Sequence, residues 1–434
     1  MNPKANLEKR LKNLTEAFEN LDKFIDGLGI NIPNMAKDKI TGLLKSKDIT
    51  QLMDAIKESR PPRFVIMGRT GVGKSSLINA MFGSYLAKTS PVEIGTTETQ
   101  QFNYVKDGEV LFEILDTRGI KESSTNDSQT AESALNEAIE QFEPDAFILI
   151  TNASDRSSSL KEDINYLNTV RNMINSKLPI VTVINKIDEL EPARIKDANE
   201  YSSKKISNIN LKAQNVRVTM IEEEIENVHV IPVSSYIEWT HETPEELSWE
   251  KQAQLEIEFD GRYNIDELVD FLEDNIDLKA SIYLMMHYKI DQAIRKIANK
   301  FVKAFAGIAG AVGLSPIPLS DIYILVPLQM ILISLIAYLN GIILDAKGVR
   351  DFFIASGGVA MLGVGLRFVA QQGVKLLNIT IPGVASAISG GIASSGTFAI
   401  GKGAISYFID DLTMEETKKN MSRDQQDYDS GNEV

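Results

Sequence analysis

Residues 63–83 read RFVIMGRTGVGKSSLINAMFG: an apolar run, then glycines at 68, 71 and 73, then a helical pattern. Gly68 to Ser75 match G-x-x-x-x-G-K-[ST], and the order strand, loop, helix is the context in which that pattern forms a phosphate-binding loop. The glycines let backbone N–H groups turn inward around phosphates, and the N-terminus of the following helix adds partial positive charge. Gly68, Arg69, Thr70, Gly71, Val72, Gly73, Lys74, Ser75 and Ser76 therefore make up the candidate nucleotide cradle. In that cradle Lys74 reaches the β- and γ-phosphates as a catalytic contact, and Ser75 supplies a hydroxyl to Mg²⁺.

Four further stretches stand in a matching order. DTRG (116–119) follows the apolar run VLFEIL and puts the Asp116 carboxylate at a strand end, where it can hold Mg²⁺ through water, while Gly119 offers an N–H to the γ-phosphate. NKID (185–188) follows PIVTVI. Its Asp188 can accept two hydrogen bonds from the N1 and 2-amino groups of guanine, partners that adenine lacks. Asn185 ties this loop to the cradle, and the Lys186 stem can cover the base. PVSS (232–235) follows VHVI and brings Ser234 and Ser235 to the same edge, with the Ser235 backbone N–H suited to guanine O6. GTTE (95–98) lies between the cradle and DTRG, where a threonine closes on Mg²⁺; Thr97 is favoured, with Thr96 in reserve.

Together these stretches resemble the Ras-like GTPases, and among them the Era-like branch, over Arg63 to Asn275. The resemblance implies GTP and GDP as ligands, Mg²⁺ as cofactor, and an α/β fold with a mostly parallel six-stranded sheet in the order 2-3-1-4-5-6. Apolar runs at 64–67, 110–115, 146–150, 180–184 and 228–233 alternate with helical patterns, as parallel βαβ units require, and 99–105 joined to 110–115 by KDGE reads as the one hairpin. The chain departs from the pattern after DTRG. Ile120 stands where Ras-like proteins carry the glutamine that orients water, and Gly71 stands where Era-like proteins carry the asparagine that holds K⁺. Arg69 and Arg118 are charges near the phosphates that could complete the site in trans, with a solvated loop residue the favoured reading at each.

The 434 residues leave room for two or three domains, and there is no cysteine, hence no disulfide or thiolate metal site. The start, MNPKANLEKR, has no apolar segment of the secretory type, and a cytoplasmic protein is expected. A formal charge of −15 disfavours sequence-independent nucleic-acid binding. Residues 279–409 carry +7 against −22 for the remainder, and 16 of the 28 glycines fall between Gly307 and Gly403, which sets a boundary near residue 278. The resulting division is an N-terminal helical segment 1–60, a GTPase domain 61–277, an apolar helical domain 278–412 and a disordered polar tail 413–434. The polar stretch between NKID and PVSS reads as a solvated face, and no His or Cys cluster accompanies His241.

Leu7, Leu11, Leu14, Phe18, Leu21, Ile25 and Leu28 keep a strict heptad, which can pair with a second chain or pack within its own protein. Two shorter helices follow, capped by Asn34 and Asp48. Residues 322–344 carry no charge and are long enough to span a bilayer, but Pro327, Gln329, Asn340 and Gly341 interrupt them and Asp321 and Asp345 flank them; a buried helix is the favoured reading and lipid insertion the other. AGAVGLSPIPLSDIYILVPLQMILISLIAYLNGI (309–342) is similar to the helical domain of bacterial GTPases with a hydrophobic C-terminal module and to the immunity-related, dynamin-like GTPases, through Pro316, Ile317, Pro318, Asp321, Tyr338 and Gly341. That resemblance implies N- and C-terminal helices joined in one all-α domain, peripheral membrane binding with lipid as a partner, and a nucleotide-dependent homodimer or oligomer built through G domains. The expected function is a GTP-hydrolysing switch, slow unless associated. The rivals are an Era-like GTPase of ribosome or tRNA maturation and a nucleotide-gated scaffold with little turnover.

Overall fold

A computed structural model describes residues 3–27, 34–88, 92–93, 100–106, 108–116, 139–155, 157–174, 178–225, 227–252, 254–314, 320–357 and 384–431. Four helices come first: α1 (Pro3–Glu19), α2 (Leu21–Gly27), α3 (Asn34–Leu44) and α4 (Lys47–Lys57). There follow β1 (Arg63–Met67), α5 (Lys74–Phe82), β2 (Ala87–Lys88), β3 (Val92–Glu93), β4 (Gln100–Lys106), β5 (Glu109–Asp116), β6 (Ala146–Asn152), α6 (Ser157–Ile174) and β7 (Ile180–Asn185). Next are α7 (Ser203–Glu222), β8 (Val230–Pro232), β9 (Ser234–Trp239), β10 (Ile257–Tyr263), α8 (Ile265–Asn275) and α9 (Leu278–Tyr288). The last helices are α10 (Ile290–Gly313), α11 (Ser320–Leu339), α12 (Ala346–Ala355), α13 (Val384–Phe408) and α14 (Met414–Ser430). Two compact units result, Ser59–Tyr288 and a second made of Met1–Glu58 with Lys289–Val434.

In the first unit the main sheet runs β2-β4-β5-β1-β6-β7-β8, with β3 also on β4. Only β4 pairs antiparallel with β5 among the six longer neighbours, and β1, β5, β6, β7 and β8 are parallel. Leaving aside the two-residue strands, this is the order 2-3-1-4-5-6 expected from the motifs. The period of two along each strand explains the two-sided core. Phe64 and Ile66 of β1, with Ala146, Ile148 and Ile150 of β6, point to one face and meet Leu77 of α5, Leu268 and Leu272 of α8 and Leu284 of α9. Val65 and Met67, with Phe147 and Leu149, point to the other and meet Ile164 and Leu167 of α6 and Ile209 and Val216 of α7. Strands buried on both faces are apolar throughout, which is why they read as continuous runs. A separate two-stranded sheet, β9 with β10, is an addition the sequence did not announce.

The charge boundary at 278 falls one helix early. Ala280 and Leu284 of α9 are buried in the core of the first unit, Tyr283 Oη donates to Val110 O at 2.6 Å, and Tyr288 Oη to Asp266 Oδ1 at 2.8 Å. Net charge does not register that packing.

Among the described residues the second unit is all helical. The heptad on α1 and α2 buries Leu7, Leu11, Leu14, Leu21 and Ile25 within the unit, against α4, α10 and α11. Asp48 sits in the first turn of α4, with Ser46 at the cap, which corrects the expected cap. α11 is packed by α10, α13, α3 and α1, and Leu328, Ile331, Leu332 and Ile336 are fully buried there. Among the described residues no helix is long and apolar enough to cross a membrane. Glycines of α13 let the helices approach: a Cβ on Gly401 would come within 2.6 Å of Val302 Cγ2, and one on Gly403 would overlap Met421.

The disordered tail expected at 413–434 is also corrected, since α14 occupies most of it. Thr413 and Glu416 form a reciprocal capping box, with Glu416 N donating to Thr413 Oγ1 at 3.3 Å and Thr413 N to Glu416 Oε2 at 3.0 Å. Met421 is fully buried, and Tyr428 stacks on Phe398 at 4.4 Å between ring centroids. A polar composition hides a helix that needs only a few apolar contacts along one face.

Candidate nucleotide-binding site

The cradle forms where β1 ends and α5 begins. Gly68 has φ +155°, and a Cβ there would lie 2.5 Å from Ile150 O on β6. Gly73 has φ +88°, and a Cβ there would lie 2.5 Å from Asn185 Nδ2. Both positions need glycine for conformation and for space. Lys74 opens α5, and its Nζ donates to Gly68 O at 2.9 Å, so the ammonium folds over the loop that would hold phosphates. Ser75 and Ser76 follow in the first turn and line a cavity of about 900 Å³.

Asn185 joins the two halves of the site. It is fully buried at the end of β7. Its Nδ2 donates to Val72 O at 2.9 Å and to Gly73 O at 3.4 Å. Its Oδ1 accepts from Lys186 N at 2.8 Å and from Ser235 Oγ at 2.9 Å. One amide thus ties the cradle, the NKID loop and β9 together. Lys186 adopts φ +62° and lines the cavity.

Asp188 lines the same cavity and is 4% exposed. Its Oδ1 accepts from Ser234 Oγ at 3.1 Å and its Oδ2 from Lys196 Nζ at 2.7 Å. Behind it lies Lys205, fully buried, whose Nζ donates to Asp188 O at 2.7 Å, Leu190 O at 2.9 Å and Pro192 O at 3.1 Å. Burial lowers the Lys205 pKa, while the nearby Asp188 charge opposes that shift. Tyr201 lies under this ammonium, with Nζ 4.9 Å from its ring centroid. Burial, and then the Asp188 charge, push its phenol up to about 12. The reading of the segment after NKID as a solvated face is therefore corrected at Lys205: its chemistry looks like surface, yet it holds the loop from inside. Lys196 and Lys205 were both missed, because a lysine in a polar stretch gives no sign of the carboxylate that pairs with the one or of the three carbonyls that converge on the other.

The far wall of the cavity carries Tyr85, Tyr236 and Trp239, with Tyr85 and Trp239 edge to face at 5.6 Å. A hydrogen bond to Glu238, and then burial, push the Tyr236 phenol up to about 12. Other expected residues fall elsewhere. Asp116 closes β5, in register with Ile66 of β1 and Gln100 of β4. Arg69 turns its guanidinium to α6, with Nη2 2.8 Å from Glu162 Oε2 and Nε 3.2 Å from Asp163 Oδ2. Thr96, Thr97, Arg118, Gly119 and Ile120 lie outside the described residues, as do Pro316, Ile317 and Pro318. Among the described residues no group of three or more His, Cys, Asp or Glu could hold a metal ion. The Ser75 hydroxyl on the cavity wall is a hard oxygen donor that fits Mg²⁺, which takes few protein ligands and fills its shell from phosphate and water.

A family model described as 50S ribosome-binding GTPase matches residues 63–186. The chain is 27% identical over 188 residues to the tRNA modification GTPase MnmE of Mycoplasmoides gallisepticum, covering 43% of this chain and 36% of that protein. It is 28% identical over 189 residues to the probable GTP-binding protein EngB of Lactobacillus helveticus, covering 43% and 90%. It is 30% identical over 174 residues to the GTPase Der of Campylobacter hominis, covering 40% and 33%. The chain thus spans about a third of the length of the MnmE and Der relatives. With that match lying across β1, the cradle and the first residues of NKID, the chain carries a P-loop GTPase domain, seated in the unit Ser59–Tyr288.

Proposed function

We propose that this protein is a guanine-nucleotide switch that hydrolyses GTP. The observation that carries the reading is the Asn185 amide, which joins a phosphate cradle to Asp188, the carboxylate suited to reading guanine. In this reading Lys74 leaves Gly68 O for the β- and γ-phosphates, and the N–H groups of the cradle orient them. Mg²⁺, held by Ser75, Thr97 and, through water, Asp116, supplies charge neutralisation when bound. Gly119 donates its N–H to the γ-phosphate, and Ile120 leaves the attacking water without a side-chain orienter. Asp188→Asn tests the base reading. Xanthine carries an oxo group where guanine has an amine, so the variant should exchange GTP for XTP. Tight ATP binding by the native protein would sink the assignment.

The helical unit is the effector, acting at a membrane surface, and hydrolysis is completed by a second G domain. Support comes from the apolar helices α10, α11 and α13, from the resemblance to dynamin-like GTPases, and from Ile120. A missing arginine-type contact leaves a rate lower by roughly 10³–10⁵. Specific activity should therefore rise with protein concentration, and fast, flat turnover by monomers would exclude the association. The second reading, a role in ribosome or tRNA maturation, is favoured by the description of the matching family and the name of the MnmE relative. Flotation with liposomes and sedimentation with ribosomes, each with GTP or GDP, separate the two.

A further inference from the structure

Lys196 stands where the base would be read. Its ammonium is 2.7 Å from Asp188 Oδ2, and it also lies 5.3 Å from the centroid of the Tyr236 ring. The other carboxylate oxygen already takes the Ser234 hydroxyl. A guanine ring presents two N–H donors to one carboxylate, one to each oxygen, so one of them competes with Lys196 for Oδ2. Asp188 is poorly placed to move toward it, because Lys205 grips the carbonyls of Asp188, Leu190 and Pro192, and Asn185 anchors the start of the loop. Lys196 is the partner with room to move: its side chain is 34% exposed against 6% for Asp188, and the Tyr236 face offers the cation a second resting place.

We infer that Lys196 is a latch on the base pocket, competing with guanine for Asp188 and so lowering the affinity for GTP and GDP alike. The inference rests on the guanine reading proposed above and adds to it a residue that sets affinity without touching phosphate. A ligand that binds only the open form loses affinity in proportion to the closed fraction, and an ion pair with one exposed end gives a factor of roughly two to six.

The test uses the full chain with Lys196→Ala and Lys196→Gln, each checked for native circular dichroism. Fluorescently labelled GDP is titrated at low and high salt, and labelled XDP is titrated against Asp188→Asn with and without the Lys196 change. Both single variants should tighten GDP binding by about that factor. The gain should shrink at high salt, where screening opens the native pair. XDP binding to Asp188→Asn should be indifferent to Lys196, because a neutral amide does not hold the ammonium. Weakened or unchanged GDP binding in both variants overturns the latch, as does an equal gain with XDP. Failure of the native protein to bind GDP at all would instead refute the guanine reading, and the latch with it.

Discussion

Replacing Asn185 with alanine perturbs the joint between the cradle and the base loop without removing any group assigned to contact nucleotide. The variant loses three short hydrogen bonds, to Val72 O, from Lys186 N and from Ser235 Oγ, and one longer one to Gly73 O. Each short bond contributes about 1 kcal/mol net, and leaving buried partners unpaired adds to that, so the loss is about 3–5 kcal/mol. That is a large fraction of the roughly 5–15 kcal/mol that holds a domain folded. At about 2–4 °C per kcal/mol the melting temperature should fall by roughly 10 °C. Both tryptophans, Trp239 and Trp249, lie in the unit Ser59–Tyr288, so urea unfolding followed by their fluorescence reports on this unit by itself. GDP affinity, measured below the new midpoint, should fall at least about tenfold, because the cradle and Asp188 are no longer held in register. A stability change under about 1 kcal/mol together with unaltered GDP binding would refute the idea that one amide organises the site.

Lys74→Ala should abolish GTP hydrolysis, and Ser75→Asn should weaken Mg²⁺-dependent GTP binding more than GDP binding; native rates in both would remove the cradle from the chemistry. Gly401→Val should destabilise the helical unit by about 1–3 kcal/mol, read from the helical circular-dichroism melt, since its Cβ meets the buried Val302 and Leu332 side chains of α10 and α11. Gly396→Ala, with no atom within 4 Å of the new Cβ, should be neutral or slightly stabilising, and equal losses at the two sites would discount the packing explanation. The raised pKa of Tyr201, about 12 when folded against 10 ordinarily, makes a stability contribution that is full below pH 10 and lost as pH rises through 12. Tyr201→Phe should flatten that alkaline loss, and an unchanged slope between pH 10 and 12 would contradict it.

The meeting of the cradle, NKID and PVSS around one cavity was legible because the pattern is local: a glycine with positive φ, a lysine beside it and a carboxylate three residues after an asparagine stand at fixed spacing at strand ends. The sheet was legible for a related reason, since strands such as Ala146–Asn152 are buried on both faces and leave apolar runs, here 146–150. Lys205 was not, because its role depends on three carbonyls brought together by the turn after Asp188. Lys196 reaches Asp188 only once that turn has formed. The β9–β10 pair escaped because Ile257–Tyr263 alternates weakly and is half exposed, so no apolar face declares it. α14 escaped for the opposite reason: its interface is a few side chains, Thr417, Met421 and Asp424, on a helix that is otherwise solvated.

The helical unit is assembled from the two ends of the chain, with the whole of Ser59–Tyr288 between them. During synthesis α1 to α4 leave the ribosome before that stretch, carrying Leu7, Leu11, Leu14, Ile40 and Leu44 while α10 and α11 are not yet made to cover them. Their partners α10 and α11 emerge only after the nucleotide-binding unit, an interval on the order of tens of seconds at ordinary elongation rates. For that time the nascent chain pairs a domain able to complete its own core with an orphaned apolar hairpin. A truncation just after residue 288 would leave a folded G domain carrying exposed leucines. Quality control would meet this protein as a tethered fragment, and chaperone capture of the first 58 residues is the step on which its yield should depend.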